Sequence, residues 1–240
     1  MFDDNFRQFL KEQIALPKEK WDKVFVDYIQ KKFQEPADEA RELSPEQEME
    51  VGFQRYLRCL DIEKENLAGK RILDLGCGEG LFVKHCLGQG ISGEVYGLDI
   101  LIEPEKINLG YRQFFLKGDF EEKIPLDDFD YIFSVAAIDA IPSEGDQRKL
   151  RRALLSALIA LKHDGEIRIF PVRKAPSASG LAGIDSSRRQ WIKLLDELKA
   201  KEWIDYELRP IDITVVGKDQ PEGWLDEALI IKKKLVEINL

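Results

Sequence analysis

The sequence predicts an α/β protein: a doubly wound, mostly parallel sheet of seven strands, with an antiparallel strand at its edge and a helical extension at the N-terminus. Three observations lead there. The first 60 residues repeat large apolar side chains at helical spacing. From residue 70, short apolar strands alternate with helical stretches. After residue 205 the alternation stops, and two strand-like runs follow each other with no clear helix between them.

In the run WDKVFVDYIQKKF, Trp21, Val24, Phe25, Tyr28, Ile29 and Phe33 form one helical stripe, which Pro36 and the acidic residues after it end. Ser44-Pro45-Glu46-Gln47 starts the next helix: the serine caps, the proline takes the first position, and the glutamine closes the box at the third. That helix carries Met49, Phe53, Tyr56, Leu57 and Leu60 on one face. Five strands then appear in turn, RILDLG, EVYGLDI, QFFLKGD, FDYIFSVA and EIRIFPV, with helical GLFVKHCLG and DQRKLRRALLSALIALK among them. In the second helix Leu150, Leu154, Leu158 and Leu161 make the stripe, and Ser143 with Asp146 makes a capping box. YELRPIDITVV and EALIIKKKL, joined by KDQPEGWLD, supply the antiparallel pair. The division expected is a helical extension over 1–62, a lid or pocket element, and a sheet domain over 63–240.

Composition narrows the function. In 240 residues, 44% hydrophobic and 34% charged side chains indicate a globular chain with a core of its own. A net charge of -9 disfavours unspecific binding to nucleic acid or to an anionic membrane, since phosphate binding requires a positive surface. Cys59, Cys77 and Cys86 with His85 and His163 are too few and too scattered for a structural zinc site, and no metal is expected. The start MFDDNFRQFL lacks the basic-then-apolar order of a signal peptide, and no apolar run approaches ~20 residues. The expectation is a soluble, cytoplasmic protein.

The informative segment is RILDLGCGEG, Arg71 to Gly80. An apolar strand enters Asp74-Leu75-Gly76-Cys77-Gly78-Glu79-Gly80, and a helix follows. Such a turn lets backbone approach a ligand, and the helix start offers free N–H groups. Asp99 stands 19 residues after Gly80, at the tip of the next strand, where a carboxylate can accept from two ribose hydroxyls. The spacing is D-x-G-x-G-x-G rather than the G-x-G-x-x-G of dinucleotide folds. Asp74 would repel a pyrophosphate but suits a ligand that carries an ammonium group.

This stretch resembles the E/D-x-G-x-G-x-G signature of the class I S-adenosylmethionine-dependent methyltransferases, and the order of elements resembles theirs over roughly residues 70–235. The resemblance implies a Rossmann-like domain, S-adenosylmethionine as cofactor, and a cofactor site of Asp74, Gly76, Cys77, Gly78, Gly80, Asp99, Ile100, Asp119, Phe120 and Ser134. Asp99 would take the ribose, Asp119 the adenine amino group, and Ser134 would lie beside the methionine part. LKHDGEIRIFPV, Leu161 to Val172, looks like the family's helix-turn-fifth-strand segment, with His163-Asp164-Gly165 as the turn. The chain departs from the family between Asp99 and Gln113, where LIEPEKINLGYR leaves room for a turn or two instead of a full helix. The family's Asn/Asp-Pro-Pro-Tyr motif of amino-methylating DNA and glutamine enzymes and its Pro-Cys nucleophile of cytosine-C5 enzymes are absent.

Other chemistry is sparse. Cys77 reads as a turn residue, Cys59 and Cys86 as helix core, His85 as a packing or surface residue, and His163 as an exposed turn residue. Asp139, after the fourth strand, is the weak catalytic candidate: it would orient or deprotonate the acceptor, or else be a solvated loop acid. Tyr56 and Trp21 could close over the site, yet both fit buried stripes. From Arg148 to Lys193, 11 basic side chains face three acids, a charge of +8. Within it Arg173 and Lys174 follow the fifth strand and lead into the loop APSASGLAGIDSS, which has the length and composition of a lid. An anionic acceptor held there and a set of solvated helix faces both fit. The leading reading is methyl transfer to a small-molecule acceptor. A nicotinamide-dependent oxidoreductase, a nucleotide-binding scaffold and a nucleic-acid methyltransferase stand as alternatives, and the oligomeric state is open.

Overall fold

The computed structural model describes residues 44–138, 147–174, 182–211 and 225–234. Helix α1 (Pro45–Leu60) begins with the predicted capping box. Ser44 Oγ accepts from the Gln47 N–H at 3.3 Å, and Gln47 Oε1 accepts from the Ser44 N–H at 2.9 Å. It ends at Asp61, whose left-handed backbone turns its N–H back to the Arg58 and Leu57 carbonyls. Then come β1 (Arg71–Leu75), α2 (Leu81–Gly88) and β2 (Glu94–Asp99). The shortened stretch holds a 3-10 turn (Pro104–Lys106) and the single-turn α3 (Leu109–Arg112) before β3 (Phe115–Lys117). After β4 (Phe129–Val135) come α4 (Gln147–Ala160), β5 (Leu161–Lys174), α5 (Ala182–Ala200), β6 (Ile204–Pro210) and β7 (Leu225–Lys233).

Among the described residues the seven strands form one sheet in the order β3-β2-β1-β4-β5-β7-β6. The five strands β3, β2, β1, β4 and β5 are parallel, and β7 runs antiparallel to both β5 and β6. The predicted antiparallel pair thus closes one side of the sheet, with β7 lying inside β6. Because β1 pairs with β2 on one side and β4 on the other, the strand order reverses at β1. Ligands of open α/β sheets bind outside the carboxyl ends at such a switch point.

Each face of the sheet has its own core. Leu73, Leu75 and Ile132 face α4 and α5, whose Leu150, Leu154, Leu158, Trp191 and Leu195 are fully buried. Ile72, Phe133 and Val95 face α1 and α2, which contribute Phe53, Leu57, Leu60, Phe82, Val83 and Cys86. Strand alternation puts Asp74 on the same face as Ile72, toward α1 and α2.

Three expectations shift. Leu161 is buried as predicted, but it is the first residue of β5 and pairs with Phe129, because α4 stops at Ala160. The His163-Asp164-Gly165 turn is a bulge within β5, between the Phe129–Leu161 and Tyr131–Glu166 pairings, with Asp164 at φ 59°. The proposed lid loop is shorter, since α5 starts at Ala182. The stripe at Trp21–Phe33, Ser143 with Asp146, and the 218–224 part of the KDQPEGWLD connection lie outside the described residues. No described helix is long and apolar enough to cross a membrane.

Candidate active site

The glycine turn leaves β1 at the switch point and is fastened from two sides. The Gly76 and Cys77 N–H groups both donate to the Leu98 carbonyl of β2, at 2.8 and 3.3 Å. Gly76 has φ 72°, and a Cβ there would lie 2.2 Å from the Ala137 Cβ, so the exit of β4 leaves no space for a side chain. Gly78 is the opposite case: φ is 53°, and a Cβ would meet nothing within 4 Å. Its backbone is therefore open to a ligand. Gly80 caps α2 with no side-chain hydrogen bond, which leaves the first N–H groups of the helix facing the turn.

Asp99, at the end of β2, clamps the turn. One carboxylate oxygen accepts from the Gly78 N–H at 2.9 Å and the other from the Leu101 N–H at 2.8 Å. Each oxygen keeps a lone pair for a further donor. Ile100 follows it and is 57% exposed, and Leu81, just after Gly80, is 54% exposed. Two large aliphatic side chains thus stand in the open around the turn.

Asp74 is only 2% exposed, and the Tyr56 hydroxyl of α1 donates to its Oδ1. Its Oδ2 takes no hydrogen bond from a described residue. Burial pushes the carboxyl up to about 7; the Tyr56 hydroxyl pulls against this, and the Asp99 charge adds to it. A buried acid with one oxygen unpartnered, beside a backbone with open space above it, fits the cationic end of a ligand. The residues present therefore suit an S-adenosyl donor.

The remaining predicted residues fall as follows. Asp119 Oδ1 accepts from the Glu121 N–H at 2.8 Å, shaping the turn after β3, and Phe120 packs half-buried against the core beside Gly76. Ser134 is fully buried: its hydroxyl donates to the Leu75 carbonyl at 3.1 Å and accepts from the Ile138 N–H at 3.3 Å. It ties the ends of β1 and β4 together, so it offers the crevice position rather than a free hydroxyl. Burial, with Asp74 and Asp99 adding, pushes the Cys77 thiol well up, and Cys86 is pushed up to about 12 by burial first. Neither is a thiolate nucleophile. His85 is 2% exposed, stacks on Phe53 at 4.3 Å and faces Glu50 at 3.2 Å, so it packs. Asp139 lies outside the described residues. Among the described residues no cluster of three His, Cys, Asp or Glu is placed to hold a metal.

The basic segment is largely neutralised. Arg151 pairs with Glu197, Arg152 with Glu121 and Lys162 with Asp130. Arg168 pairs with Glu166, Arg173 with Asp226 and Arg188 with Glu227. Five of those six acids come from outside the segment, which is why its local charge overstated the field. Tyr56 is the site residue that sequence reasoning set aside. The signal was a hydroxyl on an otherwise apolar stripe, a tip that needs a partner once buried.

A doubly wound sheet with a glycine turn at its switch point, an acid before that turn and a second acid at the tip of β2 defines an α/β enzyme of the nucleoside-binding kind. A family model for the methyltransferase domain matches residues 46–205, and the chain belongs to that family, the class I S-adenosylmethionine-dependent methyltransferases. Among curated proteins it is similar to the tRNA U34 carboxymethyltransferase of Shewanella piezotolerans, 26% identical over 180 residues that cover 68% of this chain and 53% of that protein. The protein of the same name from Shewanella frigidimarina is 27% identical over 180 residues, with the same coverage. The chain thus spans about half the length of the curated relatives it matches. Among solved structures, the methyltransferase domain of bacterial CtHen1-C aligns with a TM-score of 0.54 at 13% identity, covering 77% of this chain and 99% of that one. The pyocyanin biosynthetic protein PhzM aligns with a TM-score of 0.50 at 16% identity, covering 77% of this chain and 55% of that one. At these identities the structural likenesses bear on the fold alone.

Proposed function

We propose that this chain transfers a methyl group from S-adenosylmethionine to a small-molecule acceptor at the carboxyl ends of β1 and β4. The observation that carries the donor reading is the pairing of open backbone at Gly78 with the buried, half-partnered Asp74. In this reading Asp74 Oδ2 meets the ammonium of the donor, and Asp99 meets the ribose while holding Gly78. Ile100 and Phe120 flank the base, with Asp119 at its edge. Gly76, Cys77 and Gly80 shape the turn, and Ser134 holds the ends of β1 and β4 at a fixed separation. When bound, the sulfonium supplies an activated methyl: the acceptor lone pair forms the new bond to carbon as the carbon–sulfur bond breaks and its electrons go to sulfur. The protein's part is alignment and exclusion of water. A base is needed only for an acceptor that carries a proton, and Asp139 is the residue proposed for it.

The acceptor would enter beside residues 135–142 and 173–186, with the helices before residue 62 forming the rest of its pocket. The ion pairs of Arg151, Arg152, Lys162, Arg168, Arg173 and Arg188 support a small acceptor over a polyanion, because most of the basic segment is already matched. A second reading, an RNA acceptor, is favoured by the relatives named as tRNA U34 carboxymethyltransferases. Turnover of methyl-labelled S-adenosylmethionine with total tRNA and, separately, with a low-molecular-mass cell extract tests both. Label in the small-molecule fraction supports the first reading, and label in RNA alone overturns it.

A further inference from the structure

We propose that Tyr56 is a positioning residue of the cofactor site, a phenol delivered by α1 that holds Asp74 Oδ1 so that Oδ2 stays aimed at the cation of the ligand. This rests on the reading that the crevice binds an S-adenosyl donor through Asp74.

The geometry is local and over-determined. Phe53, Leu57 and Leu60 bury one face of α1 against α2 and the sheet, and Tyr56 stands on the same side. The Tyr56 ring stacks on Phe82 of α2 at 4.4 Å with an interplanar angle of 21°. Phe82 in turn meets Phe53 at 5.8 Å and the edge of Phe133 at 5.8 Å. The ring therefore has little rotational freedom, and its hydroxyl reaches Asp74 at the end of β1. A phenol donating to a carboxylate makes a charge-assisted bond that favours the ionised acid. The bond also takes one oxygen out of competition, so a cation can approach only from the Oδ2 side.

Among the described residues the groups facing Asp74 are few. They are Tyr56 from α1, Cys86 from α2, Cys77 from the turn and Asp99 from β2. None of these is a cation. Burial and the Asp99 charge raise the Asp74 carboxyl, and the Tyr56 hydroxyl is the one opposing influence. Burial and the neighbouring Asp74 charge also hold the Tyr56 phenol well above its ordinary value, so it remains a donor across the accessible pH range. An ammonium-bearing ligand requires the ionised acid. Its affinity should therefore fall as pH drops below about 7, and removal of the phenol should move that limb to higher pH.

The test compares wild type, Tyr56→Phe and Asp74→Asn by calorimetry from pH 6 to 8.5, with melting curves to confirm folding. The probes are S-adenosylhomocysteine, which carries the amino acid portion, and 5′-methylthioadenosine, which lacks it. Tyr56→Phe keeps the ring stack and removes only the donor. It should weaken S-adenosylhomocysteine by up to about tenfold near pH 6.5, the ratio expected when a carboxyl titration moves by about one unit, with the loss shrinking toward pH 8.5. 5′-Methylthioadenosine should be indifferent to the substitution and to pH. A uniform loss at every pH, or equal losses for both probes, would show a merely structural Tyr56 and overturn the proposal. If Asp74→Asn flattens the pH limb while Tyr56→Phe leaves its midpoint in place, the proposal fails and the donor reading stands. If neither probe binds wild type, or Asp74→Asn changes nothing, the donor reading fails and takes the proposal with it.

Discussion

Gly76 and Gly78 lie two residues apart in one turn, both at positive φ, yet their alanine variants should fail in different ways. At Gly76 (φ 72°) the new Cβ sits 2.2 Å from the Ala137 Cβ, well inside an ordinary carbon contact of about 3.5–4.0 Å. The left-handed backbone costs about 1 kcal/mol for an alanine, and relieving the overlap by moving the β4 exit adds about 1–3 kcal/mol. The stiffer unfolded chain offsets only about 0.4–1 kcal/mol of that. Gly76→Ala should thus lose about 1–3.5 kcal/mol, or roughly 2–14 °C in Tm for a chain of this size. At Gly78 (φ 53°) no atom lies within 4 Å of the new Cβ, so only the backbone penalty remains, about 1 kcal/mol or less. The new methyl group would project into the space assigned to the cofactor, so Gly78→Ala should weaken S-adenosylhomocysteine by at least about tenfold, or about 1.4 kcal/mol. Thermal melts without ligand and calorimetry with ligand measure the two effects separately. Equal stability losses would refute the packing argument. Unchanged affinity in Gly78→Ala would refute the placement of the ligand over that glycine.

Other perturbations probe the supports of the site. Asp99→Ala removes the acceptor for the Gly78 and Leu101 N–H groups and should weaken S-adenosylhomocysteine by about 1–3 kcal/mol; unchanged calorimetric affinity would refute the assignment. Arg168 donates to the Leu60 carbonyl at 3.0 Å, to the Asp61 carbonyl, and to Glu166 at 2.8 Å. Arg168→Met would leave the end of α1 unsatisfied and Glu166 with, among the described residues, only Lys232 at 3.4 Å, so urea denaturation should show a loss of about 2–4 kcal/mol, and a loss below about 1 kcal/mol would count against this tie. Asp74 is raised in the fold to about 7 from its ordinary 3.8, so its ionisation opposes folding: the penalty is absent below pH 4, grows as pH rises, and levels off above 7. Asp74→Asn should therefore raise Tm more at pH 8 than at pH 5.5, and an equal effect at both would refute the burial argument.

Much of the scaffold was readable because its determinants are local. The capping box at Ser44 and Gln47, the stripe on α1 and the alternation of strand and helix after residue 70 each depend on residues within a turn or two of one another. The shortened segment before β3 was equally visible, because Pro104 and Gly110 act on their own backbone. The end of α4 was harder, since Leu161 has the right spacing for the helix, and only its pairing with Phe129 assigns it to β5.

For the site, the sequence alone determined the turn and its two acids, because the spacing of Asp74, Gly76, Gly78, Gly80 and Asp99 encodes a strand-turn-helix unit and the strand after it. It could not say what those acids meet. That Tyr56 serves Asp74, that the Ser134 hydroxyl is held by Leu75 and Ile138, and that acids from elsewhere pair with five cations of the basic segment were decided only by the order of strands and the docking of α1. The reason is physical: propensity and turn geometry act within a few residues, whereas the charge and hydrogen-bonding state of a buried group depend on whichever distant side chains the packed sheet brings within about 3 Å.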